Sequence, residues 1–262
     1  MGLQNENAPE LFVREFGAGP PLLLLHGLMA TGDMFQPVVA GLAAQHRLIV
    51  PDLRGHGRSG HLPGPYTPKQ MAADLGHLLD QPGLGTVDVL GYSHGGAVAQ
   101  QLALDYPRCL RRLVLTCTYA YNMLTPRERV EGFLTPWMFR LLGPRFLAAL
   151  MVRTGAGGGP PLPTDVGRWL VDVLGSNRKA PMVATARAMT VFDSRPRLKE
   201  IAAPTLVIAG SVDRAVPIAH ARLLAAGIPH AELRVIEGAG HFVICTHPDA
   251  LVSLVETWLA GD

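Results

Sequence analysis

The chain has 262 residues, of which 48% are hydrophobic and 17% charged, and its formal net charge at pH 7 is +2. This composition indicates a globular protein with a sizeable core, built as one large domain or as a core with an insertion, and it excludes a disordered chain. Basic residues form no stripe with interleaved aromatic residues, so we expect no nucleic-acid partner.

Further features of the sequence indicate a cytoplasmic protein without a membrane partner. Residues 1–10 are polar and lack the basic and apolar regions of a signal peptide. The apolar run at residues 22–25 is far too short to span a bilayer. The three cysteines are odd in number, widely separated and surrounded by apolar residues, which predicts buried free thiols and no metal site: Cys109, Cys117 and Cys245.

Apolar runs of strand length alternate with segments of helical spacing along residues 11–118. A continuous apolar run such as residues 22–25 is typical of a strand buried on both faces of a parallel sheet. The strands predicted in this part are residues 11–16, 22–25, 47–50, 87–90 and 110–117. The helices predicted between them are residues 34–44, 67–79 and 97–106, the second with Thr67 as N-cap and Pro68 at its first helical position.

From Tyr119 to about Arg197 the strand-like runs stop and apolar residues fall at helical spacing. The helices predicted there are residues 133–142, 146–152 and 166–174, and residues 155–163, with four glycines and three prolines, are predicted to form a loop. The alternation then resumes with strands at residues 205–209 and 233–236 and helices at residues 217–226 and 248–259. This pattern predicts an α/β fold with a mostly parallel central sheet flanked by helices. The predicted core comprises residues 1–118 and 198–262, and the predicted helical insertion residues 119–197.

The stretch Gly91-Tyr92-Ser93-His94-Gly95 lies between a predicted strand and a predicted helix. A strand-to-helix turn with this Gly-x-Ser-x-Gly pattern holds its serine in a strained backbone conformation with Oγ exposed. The helix that follows directs N–H groups and a partial positive charge at any anion formed there. We therefore predict that Ser93 is a nucleophile, the alternative being a glycine-rich turn with a surface serine.

Two residues further along the chain qualify as partners of Ser93. A serine hydroxyl is a poor nucleophile unless a base takes its proton and a third group orients that base. Asp213 and His241 each follow a predicted strand, and loops at the carboxyl ends of parallel strands meet at one edge of the sheet. The chain order Ser93, Asp213, His241 is the one associated with serine hydrolases on such a sheet. The structural alternatives are a helix N-terminal carboxylate for Asp213 and a loop histidine for His241.

Other polar residues at predicted strand ends are interpreted as structural. His26 is expected to form hydrogen bonds beneath the loop that follows it, and His56 to be a loop residue. Asp52 stands close to Arg54 and Arg58 in the sequence, which favours a structural ion pair.

Taken together, these motifs resemble those of the α/β-hydrolase superfamily, in the branch of small esterases, lactonases and related cofactor-free hydrolases. The segments that carry the resemblance occur in the expected order: His26-Gly27, residues 52–59, 91–95, 204–213 and 238–241. The resemblance implies that residues 119–197 form a helical cap over the active site and that no cofactor is needed. It also implies that the backbone N–H groups of Leu28 and His94 form an oxyanion hole.

The resemblance extends to the substrate pocket. Leu28 is expected to line the acyl pocket, whereas the imidazole of His94 either lines it or is tucked into the fold. Most of the large apolar residues of the insertion are expected to pack the cap against itself, and a few to line a broad apolar pocket. These residues are Met123, Trp137, Met138, Phe139, Met151, Trp169, Met182 and Met189.

The favoured function is hydrolysis of a carboxylic ester, with a small, fairly apolar ester or lactone as the substrate. Lactone hydrolysis, in the manner of an enol-lactonase, is the nearest alternative, and C–C bond hydrolysis with the same three residues stays open. Serine at position 93 excludes relatives that need an aspartate nucleophile, and Leu28-Met29 departs from the aromatic-proline pair of perhydrolases. From another class, a ligand receptor built on a hydrolase fold is disfavoured by the intact set of three residues. The sequence leaves monomer or dimer open.

Overall fold

The computed structural model describes residues 10–81 and 83–261. The interpretation of residues 1–10 as lacking a signal peptide therefore falls, apart from Glu10, outside the described residues. One sheet contains β1 (Val13–Phe16), β2 (Pro21–Leu25), β3 (Arg47–Pro51), β4 (Val87–Tyr92), β5 (Leu110–Thr116), β6 (Thr205–Gly210) and β7 (Glu232–Ile236). Its strand order is β1-β3-β2-β4-β5-β6-β7, and only the β1–β3 pair is antiparallel. The predicted fold class is confirmed.

Helices connect the strands. Those of the described residues are α1 (Gln36–Leu42), α2 (Pro68–Leu79), α3 (His94–Asp105), α4 (Pro126–Leu142), α5 (Pro144–Thr154), α6 (Thr164–Gly175), α7 (Lys179–Val191), α8 (Ile218–Gly227), α9 (Val243–Thr246) and α10 (Pro248–Ala260). None of these helices combines the length and apolarity needed to cross a bilayer. Thr67 caps α2 as predicted, because its side chain accepts a hydrogen bond from the N–H of Gln70.

Two predicted element boundaries differ from those observed in the structure. Strand β4 extends to Tyr92 and α3 begins at His94, so Ser93 is the only residue between them. The predicted helix at residues 34–44 begins instead as a 3₁₀ turn, Gly32–Phe35, and becomes α-helical only in α1. Pro37 has no N–H to donate to the carbonyl of Asp33, and the N–H of Gln36 bonds to that carbonyl instead.

The central strands are buried on both faces, as their continuous apolar runs predict. Along β2, Leu22 and Leu24 face one hydrophobic cluster and Leu23 and Leu25 face the other. Strands of this kind are covered by helices on both sides and form the rigid part of the domain. The loops at their carboxyl ends are therefore held in fixed relative positions.

Helices α4 to α7 are inserted between β5 and β6 and pack against the core. Phe139, Leu147 and Met182 of these helices are buried in the same cluster as Met34, which follows β2. The three predicted helices of this region correspond to α4, α5 and α6, and the predicted loop at residues 155–163 lies between α5 and α6. Helix α7 was not predicted as a separate element, since its alanines and threonines give no clear apolar periodicity. We call α4 to α7 the inserted helices.

Candidate active site

Ser93 occupies the sharp turn between β4 and α3. Its φ of 53° and ψ of −121° are sterically costly for a residue with a side chain and persist only when the surroundings enforce them. A Cβ on Gly95 would lie 2.1 Å from the carbonyl oxygen of Leu25, so only glycine allows the helix to approach β2 this closely. The N–H of Ser93 donates to the Thr116 carbonyl at 2.9 Å, and the Thr118 hydroxyl donates to the Ser93 carbonyl at 2.6 Å.

The structure brings the side chains of Asp213 and His241 to Ser93. His241 Nε2 lies 3.0 Å from Ser93 Oγ, and His241 Nδ1 lies 2.9 Å from Asp213 Oδ2. Asp213 Oδ1 accepts hydrogen bonds from the N–H groups of Ala215 and Val216 at 2.9 and 2.8 Å. Asp213 thus holds the loop before α8 and contacts His241, but it does not cap that helix, whose N-cap is Pro217.

This geometry determines which imidazole nitrogen carries the proton. A carboxylate with no proton can only accept, so His241 donates from Nδ1 to Asp213. In the neutral ring the lone pair is then on Nε2, which faces the hydroxyl of Ser93. An imidazole in this tautomer can take the serine proton as a general base.

Tyr92 is a contributor that sequence reasoning missed. Its hydroxyl donates a hydrogen bond to the carbonyl oxygen of His241, and the two rings lie 5.4 Å apart between centroids. Burial raises the pKa of Tyr92 well above its usual range, so the hydroxyl stays a neutral donor. The residue therefore fixes the backbone of His241. The sequence signal was its position directly before Ser93.

The loop between α5 and α6 is docked against the two segments that carry Asp213 and His241. The carbonyl of Gly157 accepts hydrogen bonds from the N–H groups of His241 and Arg214 at 2.8 and 3.2 Å. A Cβ on Gly158 would lie 2.1 Å from the carbonyl oxygen of Val212, and φ at Gly158 is +74°. We call residues 155–159 the glycine loop. Its glycines predicted a loop, but nothing in the sequence indicated its partners.

Leu28 and His94, the predicted oxyanion-binding pair, both belong to segments that contact Ser93, and their role stays a prediction. His94 is the first residue of α3, where N–H groups have no acceptor within the helix. Leu28 follows Gly27, where a Cβ would lie 3.2 Å from Ser93 Cβ. Within residues 10–81 and 83–261, neither of these two N–H groups has an acceptor.

His26 orients the peptide group that contains the N–H of Leu28. Its Nε2 accepts from the N–H of Leu53 at 3.0 Å, so Nδ1 carries the proton and donates to the Gly27 carbonyl at 2.9 Å. The carbonyl and N–H of one trans peptide point in opposite directions, so Leu28 N–H is directed away from His26. This is the structural role predicted for His26.

Three buried histidines lie beneath the candidate nucleophile. Burial lowers the pKa of His26 to about 4 and the pKa values of His56 and His94 to about 3. The rings of His26 and His56 pack edge to face, with centroids 5.1 Å apart. His94 Nδ1 lies 3.3 Å from the Tyr119 hydroxyl, and its side chain does not line the cavity. Of its two predicted alternatives, the tucked position is the one observed.

The predicted ion pair of Asp52 is wrong. Its two oxygens accept backbone hydrogen bonds, from Gly32 at 2.8 Å and from Arg58 at 2.9 Å. The guanidinium of Arg54 instead forms two hydrogen bonds of 2.6 Å with Asp74 on α2. The carboxylate of Asp52 lies inside its loop, where unpaired backbone N–H groups would otherwise be costly.

A cavity of about 540 Å³ opens above Ser93, between the core and the inserted helices. Leu28 lines it, as predicted, together with four of the eight large apolar residues named from the sequence: Met138, Phe139, Met151 and Met189. Met182 is instead buried in the core cluster, and Trp137 is 49% exposed. The wall is mostly apolar. At its polar end, Glu128 of α4 contacts buried His220 of α8 at 2.9 Å.

All three cysteines are free, but only Cys117 is fully buried. Cys109 is half-buried because it ends a short 3₁₀ turn on the surface, contrary to prediction. The Cys117 Sγ lies within 4.8 Å of donor atoms of Asp213 and His241, a grouping that resembles a metal site. Burial raises the pKa of Cys117 well above its usual range, so the thiol is protonated when no metal ion is bound.

Residues 20–248 match the family model described as the alpha/beta hydrolase fold. The Magnesium-chelatase 30 kDa subunit of Rhodobacter capsulatus is 36% identical, over 93% of this chain and 88% of its own length.

Two solved structures that resemble this chain are those of an esterase and an enol-lactonase. A thermophilic esterase from Thermogutta terrifontis is 30% identical, has a TM-score of 0.84, and matches 95% of this chain and 92% of its own. The enol-lactonase from Burkholderia xenovorans is 27% identical, has a TM-score of 0.85, and matches 97% of this chain and 98% of its own.

Proposed function

The chain belongs to the alpha/beta hydrolase fold family, and on that premise we propose that it hydrolyses a carboxylic ester of a small, fairly apolar substrate through an acyl-enzyme on Ser93. The observation that carries the proposal is the hydrogen-bonded series Ser93, His241 and Asp213 at the floor of an apolar cavity. A surface serine in a glycine-rich turn, the alternative considered from the sequence, would have no such partners.

In the first half of the proposed reaction, Ser93 Oγ attacks the ester carbonyl while His241 Nε2 takes its proton. Negative charge develops on the carbonyl oxygen and is stabilised by the N–H groups of Leu28 and His94. Each donor of this kind contributes roughly 2.7–4 kcal/mol to the transition state in comparable enzymes. As the tetrahedral intermediate collapses, His241 returns the proton to the leaving alcohol, and Ser93 is left acylated.

In the second half, water replaces the alcohol. His241 takes a proton from the water, which attacks the acyl carbonyl, and the acid leaves as Ser93 regains its proton. Asp213 holds the imidazole in the required tautomer and stabilises its charged form. The inserted helices, within the cap proposed at residues 119–197, supply the apolar wall that binds the acyl or alcohol group.

The test compares Ser93→Ala with the wild-type protein on p-nitrophenyl esters of graded chain length. The variant should lose at least about a thousandfold in kcat, while its thermal midpoint stays close to that of wild type. Ser253→Ala, at an exposed position of α10, is the matched control and should retain full activity. Wild-type turnover by Ser93→Ala would overturn the assignment.

Lactone hydrolysis is the second candidate, supported by the likeness to the enol-lactonase. The same series of groups opens a cyclic ester, with the acyl-enzyme keeping the alcohol attached. Adding lactones of matched size to the ester panel distinguishes the two substrates by kcat/KM. C–C bond hydrolysis needs a vinylogous diketone in the panel and is tested in the same way.

A ligand receptor on this fold is the non-enzymatic alternative. We consider a receptor because one relative is named as a subunit of magnesium chelatase. Hundreds of turnovers per molecule would establish an enzyme. A single slow turnover, coupled to a ligand-dependent rise in thermal midpoint, would establish the receptor instead.

A further inference from the structure

Helix α4 exposes a continuous set of large apolar side chains. They recur three and four residues apart, a spacing that places them on one helical face. We call them the α4 stripe: Val130 (58% exposed), Phe133 (69%), Leu134 (45%), Trp137 (49%), Met138 (37%) and Leu141 (73%). Phe146, at the start of α5, is 56% exposed as well. A stripe of this length differs from the scattered exposed apolar residues of ordinary surfaces and marks an interaction site.

The stripe is not needed to hold α4 in place. Pro136 and Phe139 are the residues of α4 that are buried, and they lie on another face of the helix. Helix α4 is thus apolar on the side that packs inward and also on the side that faces solvent. Packing of the inserted helices explains only the first of these sides.

Two members of the stripe also belong to the candidate active site. Leu134 and Met138 both line the cavity above Ser93 and are both exposed. The apolar cavity and the apolar surface therefore share an edge. A hydrophobic molecule held at the stripe would contact the cavity wall without first passing into water.

The charge around the stripe identifies the kind of surface that it fits. Residues 119–197 contain 11 Lys and Arg against 5 Asp and Glu, a net charge of +6, whereas the whole chain carries +2. Arg129 and Arg140 are exposed on α4 and lie about three helical turns apart, so they follow one edge of the stripe. On the other edge, the charge of exposed Glu131 is balanced by its ion pair with Arg127. An exposed face of Phe, Trp and Leu with arginines along one edge is the pattern of helices that lie in the interface of an anionic bilayer.

We propose that the α4 stripe docks on the surface of an anionic lipid bilayer, with its apolar side chains among the acyl chains and Arg129 and Arg140 at the headgroups. This replaces the expectation of no membrane partner: α4 lies on the bilayer and does not cross it. A second copy of the chain fits less well, because it would bring together two faces of the same positive charge.

The experiment measures binding and does not depend on hydrolysis. A Trp169→Phe, Trp258→Phe variant leaves Trp137 as the sole tryptophan, since the chain has three. Its emission is recorded with phosphatidylglycerol vesicles and with phosphatidylcholine vesicles. We expect a blue shift and quenching by brominated acyl chains with the anionic lipid, and at least about tenfold weaker binding to the zwitterionic lipid. Added salt should weaken the binding further.

Matched variants assign the binding to the stripe. Phe133→Ser, Trp137→Ser, Leu141→Ser combined in one protein should abolish cosedimentation with anionic vesicles. Val191→Ser removes an apolar residue of similar exposure outside the stripe and should bind as the wild type does. Ser93→Ala should also bind normally, so failure of the hydrolase assignment leaves this result intact.

Three outcomes would overturn the proposal. The first is no cosedimentation of the wild-type protein with anionic vesicles. The second is equal binding by the triple variant. The third is a wild-type dimer in light scattering that the triple variant converts to a monomer, which would assign the stripe to a contact between copies.

Discussion

The floor of the cavity and its wall, which the inserted helices form, are held together by different kinds of interaction. On the floor, Ser93, Asp213 and His241 are held by directional hydrogen bonds and by backbone conformations or close approaches that only particular residues allow. The helical wall contributes methionines and other apolar side chains that make non-directional contacts, and its outer face is apolar too. Reaction chemistry needs atoms placed within a few tenths of an ångström, whereas binding of apolar groups tolerates rearrangement. Substitutions should therefore have large effects on the floor and small effects on the wall.

The largest expected effect is that of Asp213→Asn. An amide can donate to His241 Nδ1 and so favours the tautomer that points a proton at Ser93. We expect kcat to fall by about 10⁴-fold, the size of the corresponding loss in a well-studied serine hydrolase, with little change in thermal midpoint. Asp165→Asn, in the exposed first turn of α6, is the control and should retain wild-type kcat. A loss of less than tenfold for Asp213→Asn would mean that the hydrogen bond to His241 is not catalytic.

The three buried histidines of the floor should make the whole protein less stable in acid. His26, His56 and His94 have lowered pKa values in the folded state and an ordinary value of about 6.5 when unfolded. As pH falls from about 7 to about 5, the unfolded chain binds protons that the folded chain does not, so the free energy of unfolding falls. The loss is about 2 kcal/mol for each histidine at pH 5, a large part of a typical stability. Urea titrations at the two pH values measure it.

Single variants show which histidines are responsible for this pH dependence. His56→Gln should reduce the fall in the free energy of unfolding between pH 7 and pH 5 by about 2 kcal/mol. His61→Gln, at an exposed position, should leave it unchanged. Equal pH dependence in both variants would contradict the assignment.

Gly158→Ala tests whether the glycine loop positions His241. The added Cβ would meet the Val212 carbonyl oxygen at 2.1 Å, so the loop must move and release the N–H of His241 from Gly157. We expect kcat to fall by at least about tenfold, equivalent to roughly 1.4 kcal/mol, with a smaller change in KM. Gly155→Ala is the matched control, because its φ is also positive, at +60°, but its Cβ would meet nothing within 4 Å. Equal kcat losses in the two variants would point to backbone strain instead of the close approach.

The smallest expected effect belongs to the wall. Met151→Leu conserves volume at a half-buried position of the cavity, so kcat for a short ester should change by less than about threefold. Steady-state kinetics across the ester panel should show any change in KM growing with chain length. A loss of kcat as large as that of Gly158→Ala would remove the distinction between floor and wall.

Much of the floor was predictable because its signals are local. The continuous apolar run of β2 identified a buried strand, and the glycines around Ser93 identified a turn that only small residues allow. The three candidate residues could be named because the carboxyl ends of parallel strands meet at one edge of a sheet. The partners of Asp52 were predicted wrongly, because its closeness in sequence to Arg54 does not determine which way a loop side chain points.

The sequence by itself determined the fold class, the order of the elements and the residues from which the site is proposed, since strand burial and turn chemistry depend on near neighbours. Only the tertiary structure decided that Tyr92 and Gly157 hold the backbone of His241, because these contacts join residues far apart in the chain. It also decided that α4 presents an apolar face to solvent. Helical spacing identifies an apolar face, but whether another element covers that face depends on how the whole chain packs.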